Sequence, residues 1–130
     1  MTVIELVSKK KVSKKTPKMI RELLELDLLK GLVKIIKRDG EDVGFINYKH
    51  EGNSIHIYSI NIVKSKRRQG TATEVIEHLR RTYRHKSITG HCKDDSVKFW
   101  KSLGAEISRD EIIRGYYPIK IDSKSKTEEK

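Results

Sequence analysis

The chain has 130 residues, enough for one hydrophobic core and hardly for a second. Charged residues (36%) balance hydrophobic ones (35%), aromatics make up 6%, and the formal net charge is +11, so an aliphatic core and a polyanionic partner (phosphate ester, nucleic acid or anionic lipid) are expected. A single cysteine, Cys92, excludes an internal disulfide framework, and no apolar stretch is long enough for a bilayer span or a secretory leader, so the expected setting is cytoplasmic with no membrane partner.

In chain order, Val3 to Val7 reads as a first strand. The lysines at 9, 10, 11, 14 and 15 that follow read as a loop too charged to pack. Thr16-Pro17 opens a helix, since threonine can cap free amides and proline at the first helical position loses no bond; Met19, Ile20, Leu23 and Leu24 share one side, and Gly31 closes it. From Leu32 the period changes toward two, with Asp39-Gly40 and Gly52-Asn53 as turn signals, which predicts a meander of three antiparallel strands. Ala72, Val75, Ile76, Leu79 and Tyr83 then form one stripe of a helix running to about His85, with Glu74 and Glu77 toward its start and Arg80, Arg81 and Arg84 toward its end, as the helix dipole favours. A short strand, KSITGHC, precedes a second helix capped by Asp94 or Asp95 and closed at Gly104. A last hairpin turns at Arg109-Asp110, and the tail 122–130 is too polar to fold. The order of elements is that of an α+β, mixed-sheet domain over residues 1–121.

The stretch between meander and helix, Lys64-Ser65-Lys66-Arg67-Arg68-Gln69-Gly70-Thr71-Ala72, holds four positive charges and a glycine at a helix mouth. Unpaired amides there carry partial positive charge, and a residue without Cβ lets a phosphate reach them. The stretch has neither the Gly-Lys-Ser/Thr of a nucleotide-hydrolysing loop nor the three glycines of a dinucleotide fingerprint.

Ile60-Asn61-Ile62 followed by Arg67-Arg68-Gln69-Gly70-Thr71-Ala72 resembles the strand, Q/R-x-x-G-x-G/A loop and helix of GNAT-family N-acetyltransferases, with Ile62 eight residues before Gly70. KDDSVKFWKSLGA, Lys93 to Ala105, is similar in outline to that family's N-x-x-A-x-x-F-Y-x-x-x-G-F helix. The resemblance implies a mixed, mostly antiparallel sheet flanked by helices, with a splayed central strand pair. It also implies acetyl-CoA as co-substrate, with the pantetheine along Ile60, Asn61 and Ile62 and the pyrophosphate received by Arg67 and the amides of Gln69, Gly70, Thr71, Ala72 and Thr73. Lys66 or Arg68 is then placed for the 3′-phosphate, and Lys93 and Trp100 for the cofactor from the second segment.

Transfer to an amine needs a base, and protonation of the leaving thiolate an acid. Relatives resembling histone acetyltransferases carry a glutamate fourteen residues before the loop glycine; this chain has His56 there, a group that can accept a proton near neutrality. His91 is a second candidate base and Glu41 a third. Trp100 stands where many relatives carry an acidic tyrosine, so a phenol is sought in Tyr116 or Tyr117. His91 and Cys92 lack the spacing of a zinc site, so no metal is expected. Two other functions stay open: a GNAT-like binding module without turnover, and a nucleic-acid binder using the basic segments, though few aromatics interleave with those charges. The amine acceptor and the oligomeric state cannot be read from these residues.

Overall fold

The computed structural model describes residues 2–8, 16–18, 20–21 and 31–125. Among the described residues seven strands form one mixed sheet: β1 (Ile4–Ser8), β2 (Leu32–Arg38), β3 (Glu41–Glu51), β4 (Ser54–Ile62), β5 (Ser87–Cys92), β6 (Glu106–Ile107) and β7 (Tyr117–Ile121), in the order β1-β2-β3-β4-β5-β7-β6. Helix α1 (Thr71–Thr82) connects β4 to β5, and α2 (Val97–Ser102) follows β5. Among the described residues no helix is long and apolar enough to cross a membrane.

The backbone divides into two compact units, Met1–Tyr48 with Tyr58–His78, and Lys49–Ile57 with Leu79–Lys130. In the first, β1 pairs antiparallel with β2 from Ile4↔Arg38 to Ser8↔Lys34. The expected meander is present. β2 and β3 join through Asp39 and Gly40, whose φ angles of 51° and 83° make the two-residue turn that matches strand twist. The register slips between Ile36 and Lys37, where Ile36 faces Gly44 and Lys37 faces Asp42, so Val43 is the extra residue of a bulge. Next to it Gly44 allows a close approach: a Cβ there would fall on the Asn61 carbonyl oxygen, with Ile62 Cα at 3.0 Å. The core of this unit is aliphatic around one ring: Ile20, Ile35 and Phe45, with Val7, Val33 and Val63 against them. Lys18, Ile20 and Arg21 are helical, with the Ile20 and Arg21 amides donating to the Pro17 carbonyl. The lysine loop (Lys9, Lys10, Lys11, Lys14, Lys15) and the rest of that first helix (Met19, Leu23, Leu24) lie outside the described residues.

In the second unit, β4 and β5 run parallel, from Ser54↔Ser87 to Ile57↔Gly90, and both strands continue beyond the last pair. β5 pairs antiparallel with β7, and β7 with β6. Ile55, Ile57, Ile88, Ile119 and Ile121 are buried. Of the predicted helical stripe on α1, Val75 and Ile76 of the first unit and Leu79 of the second are buried. That helix stops at Thr82 instead of about His85, although the Tyr83 amide still donates to the Leu79 carbonyl.

Two expectations are corrected. No side chain of Asp94 or Asp95 caps α2; both lie in a 3₁₀ turn, Asp94–Ser96, ahead of it. The tight turn of the last hairpin is not Arg109-Asp110, which falls in another 3₁₀ turn, but Arg114-Gly115 (φ 52° and 84°), closed by the Ile113↔Tyr116 bridge. Within the tail, Ser125 donates its amide to the Arg84 carbonyl at 3.1 Å and its hydroxyl lies 2.8 Å from His85 Nδ1, while 126–130 lie outside the described residues. Gly104, by contrast, ends α2 as expected: at φ 85° it lets its own amide reach the Lys101 carbonyl and the Ala105 amide reach that of Trp100, the paired bonds of a left-handed helix end.

Candidate active site

The basic glycine stretch leaves β4 at Ile62. Val63 donates its amide to the Val43 carbonyl, and Lys64–Lys66 makes one 3₁₀ turn. Arg67 is extended, Arg68 (φ 63°) and Gly70 (φ 75°) are left-handed, and Gly70 accepts the first helical bond of α1, from Glu74 at 3.0 Å. Thr71, Ala72 and Thr73 therefore occupy the first helical positions, where amides have no partner within a helix. Among the described residues, none of the amides from Arg68 to Thr73 donates to another part of the chain. A Cβ on Gly70 would meet nothing within 4 Å, so the approach to this row is open.

The loop is braced from behind. Arg38 Nη1 donates to the Gln69 carbonyl at 2.6 Å and to Thr71 Oγ1 at 2.7 Å, so the buried Thr71 is tied to β2. Arg67 Nε donates to the Ile62 carbonyl at 2.9 Å, fixing one end of its guanidinium while the residue stays exposed. Lys66 Nζ lies 2.6 Å from Glu41 Oε1, which occupies Glu41 as an ion-pair partner. Ile60, Asn61 and Ile62 are half-buried at the end of β4. The first unit thus gathers every loop residue of the predicted cofactor set.

The second unit holds the remaining candidates in separate groupings. His56 on β4 faces Thr89 on β5 in register, with Nδ1 3.0 Å from Oγ1, and the His91 ring packs edge-on at 5.6 Å between centroids. Burial, then the charge of His91, lowers the His56 pKa below 6.5; Glu51 pulls it up and Lys49 down. Lys93 Nζ lies 5.1 Å from the centre of the exposed Tyr116 ring. Tyr117 is hydrogen-bonded to Asp94, which raises its phenol pKa together with burial. Trp100 is buried on α2 with Phe99 edge-on to it. Cys92 is buried as well, and burial followed by the nearby Asp94 pushes its thiol up, away from a reactive thiolate. Among the described residues no group of three or more His, Cys, Asp or Glu is placed to hold a metal ion.

Arg38 and Thr89 carry no local sequence signal of these contacts. Thr89 lies two residues from His91 in a β-rich run, and its pairing with His56 exists only through the parallel register. Arg38 stands 31 residues from Gln69, a separation that no local periodicity reports.

A strand, an amide-lined glycine turn and a helix, set in a mixed seven-stranded sheet, define an acyl-CoA-binding type of fold. The family described as Acetyltransferase (GNAT) matches residues 2–105, and the chain belongs to that family. No curated protein matches it. Among solved structures it is similar to the IAA acetyltransferase from Bacillus cereus (TM-score 0.62, 15% identity, 93% of this chain and 99% of that one). It is also similar to Arabidopsis thaliana Naa50 in complex with a bisubstrate analogue (0.60, 17%, 92% and 97%) and to a GNAT family acetyltransferase from Elizabethkingia anophelis with acetyl-CoA bound (0.60, 12%, 93% and 97%). At these identities the likeness is one of fold.

Proposed function

We propose that the protein transfers an acetyl group from acetyl-CoA to an amine by direct attack in a ternary complex. The observation that carries this reading is the row of amides from Arg68 to Thr73 at the mouth of α1, which donate to no other part of the chain among the described residues, with Arg38 bonded to the Gln69 carbonyl and the charges of Arg67 and Arg68 beside it. Such a row suits a diphosphate, since each donor meets an oxygen without reorganisation and the helix dipole favours the charge. The pantetheine extends along Ile60 to Ile62 by strand-like hydrogen bonding, and strand amides polarise the thioester carbonyl.

The amine must be neutral to attack. In the His56 tautomer whose Nδ1–H donates to Thr89 Oγ1, Nε2 carries the lone pair, and the lowered pKa favours the unprotonated ring at neutrality. The amine nitrogen bonds to the thioester carbon, its proton passes to His56, and collapse of the tetrahedral intermediate breaks the C–S bond and releases the CoA thiolate. Tyr116 is the candidate donor to that thiolate, and His91 a second base.

Isothermal titration with acetyl-CoA at moderate salt tests the cofactor, and an amine panel tests turnover; absence of any acetyl-CoA affinity ends this reading. The buried indole of Trp100, which offers no phenol, favours a second: a binding module that holds acetyl-CoA without turnover. Binding with no product from any acceptor supports that module. The exposed charges at Lys64, Arg67 and Arg68 also suit nucleic acid, whose binding would fall steeply with salt.

A further inference from the structure

Arg38 and Glu41 are cross-strand partners that close the β2–β3 hairpin, opposite charges placed face to face. Such a pair ordinarily satisfies itself. Here each side chain reaches the glycine loop, Arg38 to its helix end at Gln69 and Thr71 and Glu41 to its strand end at Lys66. The consequence of the Arg38 contact follows from peptide geometry. In a trans peptide the C=O and the following N–H point in opposite directions, so drawing the Gln69 carbonyl back onto the guanidinium turns the Gly70 amide the other way. The positive charge of Arg38 lies behind that peptide and adds to the potential that an anion meets in front. The Glu41–Lys66 pair is largely exposed and contributes little by itself, so the asymmetry favours Arg38.

We propose that Arg38 is a positioning residue for the cofactor diphosphate: it touches neither cofactor nor substrate, and acts by fixing the Gln69-Gly70 peptide so that the loop amides face outward. This rests on the reading of the loop as the acetyl-CoA diphosphate receptor. The test compares wild type, Arg38→Ala, Arg38→Lys and Thr71→Val by titration with acetyl-CoA, by steady-state kinetics with acetyl-CoA and with S-acetyl-pantetheine, which has no diphosphate, and by thermal melting. Loss of charge-assisted bonds to the loop should raise Kd and KM for acetyl-CoA about tenfold or more in Arg38→Ala, with kcat nearly unchanged. Kinetics with S-acetyl-pantetheine should stay within about twofold of wild type, a split that general damage to the fold would not produce. Arg38→Lys should recover part of the affinity, and Thr71→Val, which keeps the charge and removes one acceptor, should lose less than Arg38→Ala. Equal acetyl-CoA affinity in wild type and Arg38→Ala, or equal losses with both acyl donors, overturns the inference. A wild type without acetyl-CoA affinity instead removes the reading beneath it.

Discussion

Substitution of Gly44 by alanine probes how closely β3 and β4 must approach to place the loop. The added Cβ would overlap the Asn61 carbonyl oxygen and sit 3.0 Å from both the Asn61 carbonyl carbon and Ile62 Cα. These neighbours are backbone, so no rotamer change relieves the overlap and the strands must part. Overpacking of this kind typically costs 1–3 kcal/mol, and with only main chain to yield we expect about 3 kcal/mol. For a chain of this length that lowers the melting temperature by about 10 °C. The same shift moves the Ile62 carbonyl that accepts from Arg67 Nε, so acetyl-CoA affinity should fall too, by about tenfold. Differential scanning calorimetry and titration on the same preparation measure both. A Gly44→Ala protein that melts and binds like wild type would refute the close approach and the link from strand spacing to loop geometry.

Gly70→Ala should separate binding from stability, because its Cβ meets no protein atom yet forces a left-handed residue at φ 75°. We expect about 1 kcal/mol of lost stability by denaturant titration and a Kd for acetyl-CoA raised about tenfold; an unchanged Kd would place the diphosphate elsewhere. His56→Gln should lower kcat by about a hundredfold or more with little change in Kd for acetyl-CoA. In wild type, kcat/KM should fall as pH drops through the His56 pKa, which lies below 6.5, and this acidic limb should be absent in the variant. The stability difference has the same sign: a histidine whose folded pKa lies below its unfolded value stabilises fully above about 6.5 and loses that contribution as pH falls through the folded pKa. Persistence of the limb in His56→Gln would move the base to another group.

What could be read from the sequence was local. Asp39-Gly40 supplies the positive φ that two successive turn positions need, the β-rich run from Leu32 marks β2 although its neighbours Ile35 and Ile36 are both buried, and Val75, Ile76 and Leu79 repeat at helical spacing. Gly70 before a helical stripe is readable for a similar reason, since glycine and a helix start are both short-range signals. The misplaced turn has a physical source as well. Arg114-Gly115 carries positive φ on an arginine, which composition does not advertise, whereas Arg109-Asp110 has turn-forming chemistry that a 3₁₀ turn satisfies equally. The insertion of β7 between β5 and β6, the approach at Gly44 and the brace by Arg38 all depend on residues brought together from far along the chain.

The two-residue turn at Asp39-Gly40 has a bearing on how this chain can vary in length. Exposed hairpin tips are ordinarily where extra residues are absorbed most readily. This tip is flanked by the two side chains that reach the glycine loop, so lengthening it would carry both away from their targets even if the sheet stayed intact. Gly52-Asn53, the other short connection of the meander, sends no side chain to the glycine loop; its tie is the Asn53 carbonyl, which accepts from the Ser87 amide at 2.9 Å, so added residues there would disturb the start of β5 and not the loop.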